Sequence, residues 1–186
     1  FEEVVSVIEE SYGRSWRRVF SYMEEKPQGS ASIAQVHRAV LRSGEEVVVK
    51  VQRRGIYEKM ARDIDLLHKA VKLMPPVSIK GMADLDLVLD EMWSVTRDEM
   101  NFLTEASNME EFARRNKEVN FVGTPRLYQQ YTTVNVLVME YIDGCGIDDK
   151  EALIERGYDL KEIGSKLVDN YIKQVMDDGF FHADPH

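Results

Sequence analysis

Apolar residues recur at helical spacing at both ends of this chain and follow strand-like patterns in its middle. Val4, Val5, Ile8 and Tyr12 share one helical face, and Trp16, Val19, Phe20 and Met23 repeat the spacing after Gly13. The pattern predicts two short helices there. Lys26-Pro27-Gln28-Gly29 interrupts it, and from Ser30 to Leu41 the residues are small or β-forming. Ser43-Gly44 is a turn signal, and Val47-Val48-Val49-Lys50-Val51 follows. These features predict a β-hairpin. In its second strand Lys50 falls on one face with Val48 and Gln52, opposite Val47, Val49 and Val51.

Beyond the hairpin, the spacing of Ile56, Met60, Ile64, Leu67 and Val71 predicts a helix from Gly55 to Leu73, ended by Pro75-Pro76. Asp84 to Lys117 reads as acidic and helical, with room for two helices in series. Thr124–Tyr128 and Val134–Ile142 read as two more strands. Asp143-Gly144-Cys145-Gly146 breaks the pattern as a loop does. Helices are then expected near Asp148–Arg156 and over Leu160–Asp178, the latter striped by Leu160, Ile163, Leu167, Tyr171, Ile172 and Val175. Gly179 stands at its C-terminal stop. The order predicts an α+β part, residues 1–142, joined to the start of an α-helical part, residues 143–186.

Composition narrows the function classes. The chain has 186 residues, 44% of them hydrophobic, with 24 basic and 33 acidic side chains for a net charge of −9. Nucleic-acid binding needs clustered Lys and Arg to neutralise phosphates, so this balance excludes it. No apolar run approaches the roughly 18 to 20 residues that span a bilayer. A lone cysteine, Cys145, allows no internal disulfide and fits a reducing, cytoplasmic setting. The sequence opens on Phe1 without a signal peptide and stops within Phe181-His182-Ala183-Asp184-Pro185-His186, so it is read as a segment of a longer protein.

Four features bear on chemistry, each with a plainer reading. The small residues of Gly29–Ala34 let a backbone approach a phosphate, or simply lead into a strand. Lys50 in a valine strand must snorkel, pair with an acid or meet an anion. Glu105 is either such an acid or one more solvated helical glutamate. His182-Ala183-Asp184 suits a base held in a loop, a helix-ending turn, or part of a metal site that needs outside ligands.

Their order is that of a protein kinase-like fold: small-residue loop, hairpin, strand lysine, helix glutamate, two strands, linker, helix and His-x-Asp. More specifically, the sequence resembles the UbiB/ADCK family of atypical kinases. The resemblance rests on Ser30-Ala31-Ser32-Ile33-Ala34-Gln35-Val36-His37, Val49-Lys50-Val51-Gln52-Arg53, Glu99-Met100-Asn101, Glu105-Ala106-Ser107-Asn108 and Phe181-His182-Ala183-Asp184-Pro185-His186.

The resemblance implies a kinase-like N-terminal lobe, an antiparallel sheet with inserted and N-terminal helices, followed by the first helices of a C-terminal lobe. It implies that Lys50 grips nucleotide phosphates, Glu105 pairs with it and Asp184 is the catalytic-loop aspartate. Ala31, Ser32, Ile33 and Ala34 would lie over the phosphates. Val48, Met139, Glu140, Tyr141 and Ile142 would line the adenine. ATP or ADP with Mg²⁺ is the implied cofactor, and a slow ATPase or phosphotransferase of isoprenoid quinone metabolism, associated with membranes, is the implied parent. The family's metal-binding Asn and Asp fall after His186, so these residues alone are expected to bind nucleotide weakly and not to turn it over. Asn101 stands where the family has an acid, which removes a charge expected to contact an N-terminal helix. A nucleotide-regulated scaffold for a lipid or a protein is the rival of another class. A small-molecule kinase of the aminoglycoside or choline type is the same-fold rival.

Overall fold

Seven of the eight residues from Ala34 to Leu41 oppose a partner across the hairpin turn, which makes β3 (Ala34–Leu41) and β4 (Glu46–Gln52) the centre of the sheet. The computed structural model describes residues 1–73 and 85–183. β5 (Val136–Glu140) pairs with the far side of β4, β1 (Phe20–Met23) pairs with β3, and the two-residue β2 (Gly29–Ser30) also joins β3. Every pairing is antiparallel. Val47, Val49 and Val51 point to one face and are essentially inaccessible, with Ala39, Leu41, Val136 and Val138 beside them. Val4, Val7 and Ile8 of α1 (Glu2–Tyr12) complete this core. Each such valine contributes about 1.5–3 kcal/mol on burial, which fixes the register and forces Lys50 onto the other face.

The second predicted N-terminal helix does not form. Trp16–Arg18 is a single 3₁₀ turn and Phe20–Met23 is β1. The register against β3 shifts between Phe20 and Tyr22. That irregularity turns Phe20 and Met23, three residues apart, toward the core together. A bulged strand thereby imitates helical spacing. Thr124–Tyr128 also falls short of a strand: only Leu127 bridges, to Met139, before a 3₁₀ turn at Gln129–Tyr131. Pro125 has no N–H to give a ladder, which limits pairing there.

α2 (Ile56–Leu73) starts after Gly55, whose φ of 68° is one that side chains disfavour. The Pro75-Pro76 stop and Asp84 lie outside the described residues. α2 packs on α3 (Leu85–Glu99), and α4 (Phe102–Arg115) follows it as the predicted second helix. Asn101 separates the two: its side-chain Oδ1 accepts the Leu103 N–H at 3.1 Å, an N-cap.

The chain divides into two compact units. One holds Phe1–Asn108 and Arg126–Tyr141; the other holds Met109–Pro125 and the chain from Ile142 on. In the second unit, α5 (Lys150–Glu155) and α6 (Leu160–Lys173) are capped by the carboxylates of Asp149 and Asp159. A π-helical turn, Gln174–Asp178, ends at Gly179 as expected. The apolar stripe is not the buried side of α6, since Leu167 and Ile172 are more than half exposed. Asn170 and Gln174 are buried instead, joined by a 2.5 Å bond, and Asn170 donates to Asn116 at 2.8 Å. Buried amides need such partners, and the periodicity of apolar residues carries no trace of them. Among the described residues no helix is long and apolar enough to cross a membrane.

Candidate functional site

The site grows from the face of β4 that the valines leave. Lys50 projects there, its side chain 25% exposed, and its Nζ donates to both carboxylate oxygens of Glu105, at 2.7 and 2.9 Å. The same ammonium lies 5.0 Å from the centroid of the Phe102 ring, which is wholly buried. Quadrupole attraction and the two charge-assisted bonds together hold it in one place.

The start of α4 is aimed by three contacts. The Gln52 amide donates to the Met100 carbonyl, the Phe102 N–H donates to the Val134 carbonyl at 3.0 Å, and Asn101 caps the helix. Glu105 then sits in the first turn, where the helix dipole favours an anion. Asn101, expected to mark a lost acidic contact, thus caps the very helix that presents Glu105. Phe102 has no part in the sequence reading, and Gln52 enters it only as a same-face neighbour of Lys50 and within the Val49–Arg53 motif. Their signals are the same-face spacing of Gln52 with Lys50 and the i, i+3 spacing of Phe102 with Glu105.

The small-residue loop is a closed turn. Ala31 N–H donates to the Ala34 carbonyl at 2.9 Å, and Arg53 N–H to the Ile33 carbonyl at 2.8 Å. The Arg53 side chain adds two bonds, from Nε to the Ala31 carbonyl at 3.0 Å and from Nη2 to Ser30 Oγ at 2.7 Å. Ala31 and Ser32 are exposed, Ile33 is partly buried and Ala34 is buried as the first residue of β3. The loop's carbonyls are therefore tied inward. Among the described residues the amides of Ser32 and Ile33 meet no acceptor. Consecutive free N–H groups in a turn are an anion-binding arrangement.

At the end of β5, Met139 lies opposite Val48. The Glu140 N–H donates to the Arg126 carbonyl at 2.8 Å and the Tyr141 N–H to the Glu46 carbonyl at 3.2 Å. The Glu140 carboxylate accepts the Arg126 N–H at 2.9 Å, and the Tyr141 ring carries the Arg38 guanidinium at 4.2 Å. Both donors of this pair are spoken for, whereas Ile142 N–H has no acceptor among the described residues. In the second unit, Tyr171 Oη donates to the His182 carbonyl at 3.1 Å, and its ring meets Phe181 edge-on at 6.4 Å. The structure unites Lys50 with Glu105, and Asp184 lies outside the described residues.

The model of the ABC1 atypical kinase-like domain matches residues 1–186. The chain is 40% identical, over 98% of its length, to the chloroplastic Protein ACTIVITY OF BC1 COMPLEX KINASE 8 of Arabidopsis thaliana, of which it covers 24%. It is 36% identical over its whole length to AarF domain-containing protein kinase 1 of Xenopus tropicalis, covering 35% of it. Among solved structures it resembles Rv3197 of Mycobacterium tuberculosis in complex with erythromycin. That match has a TM-score of 0.79 and 29% identity, over the whole of this chain and 46% of the other. The chain thus spans about a quarter to a third of the curated relatives it matches. With a five-stranded antiparallel sheet, an inserted helix that pairs its glutamate to the sheet lysine, and a family match from end to end, this chain belongs to the ABC1 atypical kinase-like domain family.

Proposed function

We propose that the first unit binds the phosphates of an adenine nucleotide, as part of an ATP-dependent phosphotransferase or ATPase. The observation that carries this reading is the Lys50–Glu105 pair. It stands a quarter to a third open to solvent, where an isolated ion pair contributes little to stability. A lysine held there by two charged bonds and a ring is better explained as a pre-placed cation than as a brace. The donor set fits polyphosphate: one fixed ammonium, the free Ser32 and Ile33 amides, and a loop whose small residues admit close approach.

In this reading Lys50 holds phosphate oxygens and Glu105 keeps Lys50 in register. The backbone of Met139, Glu140 and Tyr141 lies beside the adenine, and Ile142, the next residue along the chain, is assigned to it by resemblance alone. Asp184, by resemblance, accepts the proton of the attacking hydroxyl or water. Mg²⁺ would enter on the nucleotide and offset charge that develops during transfer, and no described residue is assigned to it. Support for a role in isoprenoid quinone metabolism comes from resemblance to the UbiB branch alone.

Titrating Mg·ATP into the full-length wild-type protein and its Lys50→Ala variant, by calorimetry, tests the reading. A charged hydrogen bond is worth about 1.5–3 kcal/mol, so the variant should bind at least tenfold more weakly. Equal affinity of the two proteins overturns the assignment.

A further inference from the structure

Two adjacent arginines follow β4, and they tether different parts of the first unit. Arg54 turns to α1, donating to Ser6 Oγ at 3.1 Å and Glu10 at 2.8 Å. Arg53 turns the other way, to the Ala31 carbonyl and the Ser30 hydroxyl. Among the described residues Arg54 pairs with a carboxylate and Arg53 does not. Arg53 spends its fork on a loop carbonyl and a loop hydroxyl, and its charge stays uncompensated.

We propose that Arg53 is a positioning residue, a strap that holds the Gly29–Ala34 loop in its closed turn so that nucleotide phosphates held by Lys50 also meet a preformed pair of amides. Three details carry this. First, the strap and the lysine ride on one strand: Arg53 directly follows Gln52, which lies opposite Ala34 where the loop enters β3. Loop and Lys50 are therefore set by the same piece of backbone. Second, the guanidinium holds the Ala31 carbonyl, which would repel phosphate if it turned outward, beside the Ile33 and Ala34 carbonyls already taken by backbone N–H groups. Third, the contact requires the guanidinium fork. Nε–H and Nη2–H diverge to two acceptors, a geometry that a lysine ammonium at the end of a flexible stem does not reproduce. A loop of small side chains has little packing to hold it, so without the strap it samples open conformations whose ordering must be repaid on binding.

The nucleotide consequence rests on the proposed function above, whereas the strap itself is tested without ligand. Hydrogen-exchange mass spectrometry on the full-length protein, nucleotide-free, should show uptake in the peptide covering residues 29–34 about tenfold faster in both Arg53→Gln and Arg53→Lys. Ala31 N–H is the protected reporter, and peptides from α1 and β5 should be unchanged. Ser30→Ala, which leaves β4 untouched, should give a smaller acceleration confined to the same peptide. Wild-type protection in Arg53→Gln, or its full retention in Arg53→Lys, overturns the strap. If either Arg53 variant exchanges faster throughout, Ser30→Ala decides: unchanged uptake in 29–34 rejects the strap. In a second arm, the Kd for Mg·ADP should rise about tenfold in Arg53→Lys with charge retained. A loosened loop with unchanged Mg·ADP affinity overturns the positioning role alone. A wild-type protein that binds no Mg·ADP overturns the proposed function and leaves the exchange result standing.

Discussion

Glu105→Gln keeps the size of the side chain and removes the charge that holds Lys50. Because the paired side chains are 25% and 36% exposed, the folded state should lose no more than about 1 kcal/mol. The effect on nucleotide should be larger, and its sign comes from two opposing terms. Released from Glu105, the lysine regains rotamer freedom worth about 2 kcal/mol, which phosphate binding must take back. Against this, the glutamate no longer repels the phosphates. Two unit charges about 6 Å apart in water-like surroundings repel by roughly 0.7 kcal/mol, and the exposure of the pair puts it near that limit. The difference, about 1.3 kcal/mol, corresponds to close to tenfold weaker binding. Urea denaturation of the ligand-free protein and calorimetric titration with Mg·ATP, for wild type and Glu105→Gln, measure both quantities. Unchanged or tighter binding would show that repulsion outweighs pinning and refute the reasoning. A large loss of stability without ligand would make the pair a structural brace.

Asn101→Ala should destabilise the first unit by about 1 kcal/mol in urea denaturation, whereas Asn101→Asp should match wild type, because both Asn and Asp cap well. Equal losses in the two variants would remove the capping explanation. Acid sensitivity should locate at Glu111: hydrogen bonds from Arg114 at 2.6 and 2.8 Å and from Arg115 at 2.5 Å pull its carboxyl down to about 2. A depressed carboxyl stabilises the fold above its ordinary value of 4.5 and loses that contribution as pH falls toward about 2. Glu111→Gln should flatten the acid limb of stability followed by circular dichroism across that window, and an unaltered limb would show that the carboxyl is unpaired in solution.

Much of the site was legible because it is written in β-strand arithmetic. A lysine within a valine run has to emerge on the face the valines do not use, and the hairpin and α2 follow from period and turn residues, whereas the Asp84–Lys117 segment offers room for two helices without marking where they part. The resemblance then pointed from Lys50 to Glu105, across 55 positions that no local pattern connects. Phe20–Met23 was misread because a bulge gives a strand the spacing of a helix. Thr124–Tyr128 was overread because composition does not say whether a β-forming stretch will find ladder partners. The amide chain of Asn116, Asn170 and Gln174 was invisible because apolar periodicity assigns polar residues to the surface.

The sequence by itself determined the order of the elements, the face on which Lys50 stands and the smallness of the loop before β3. These depend on residues near each other along the chain and on the apolar face each element must bury. Only the tertiary structure decided which acid meets Lys50, that the Phe102 ring lies within 5.0 Å of it, and that Arg53 closes the loop while Arg54 turns to α1. Such choices depend on where long polar side chains end after the backbone has folded. Charge and size are the same for neighbouring arginines, so distance in space, which the linear order does not contain, selects between their partners.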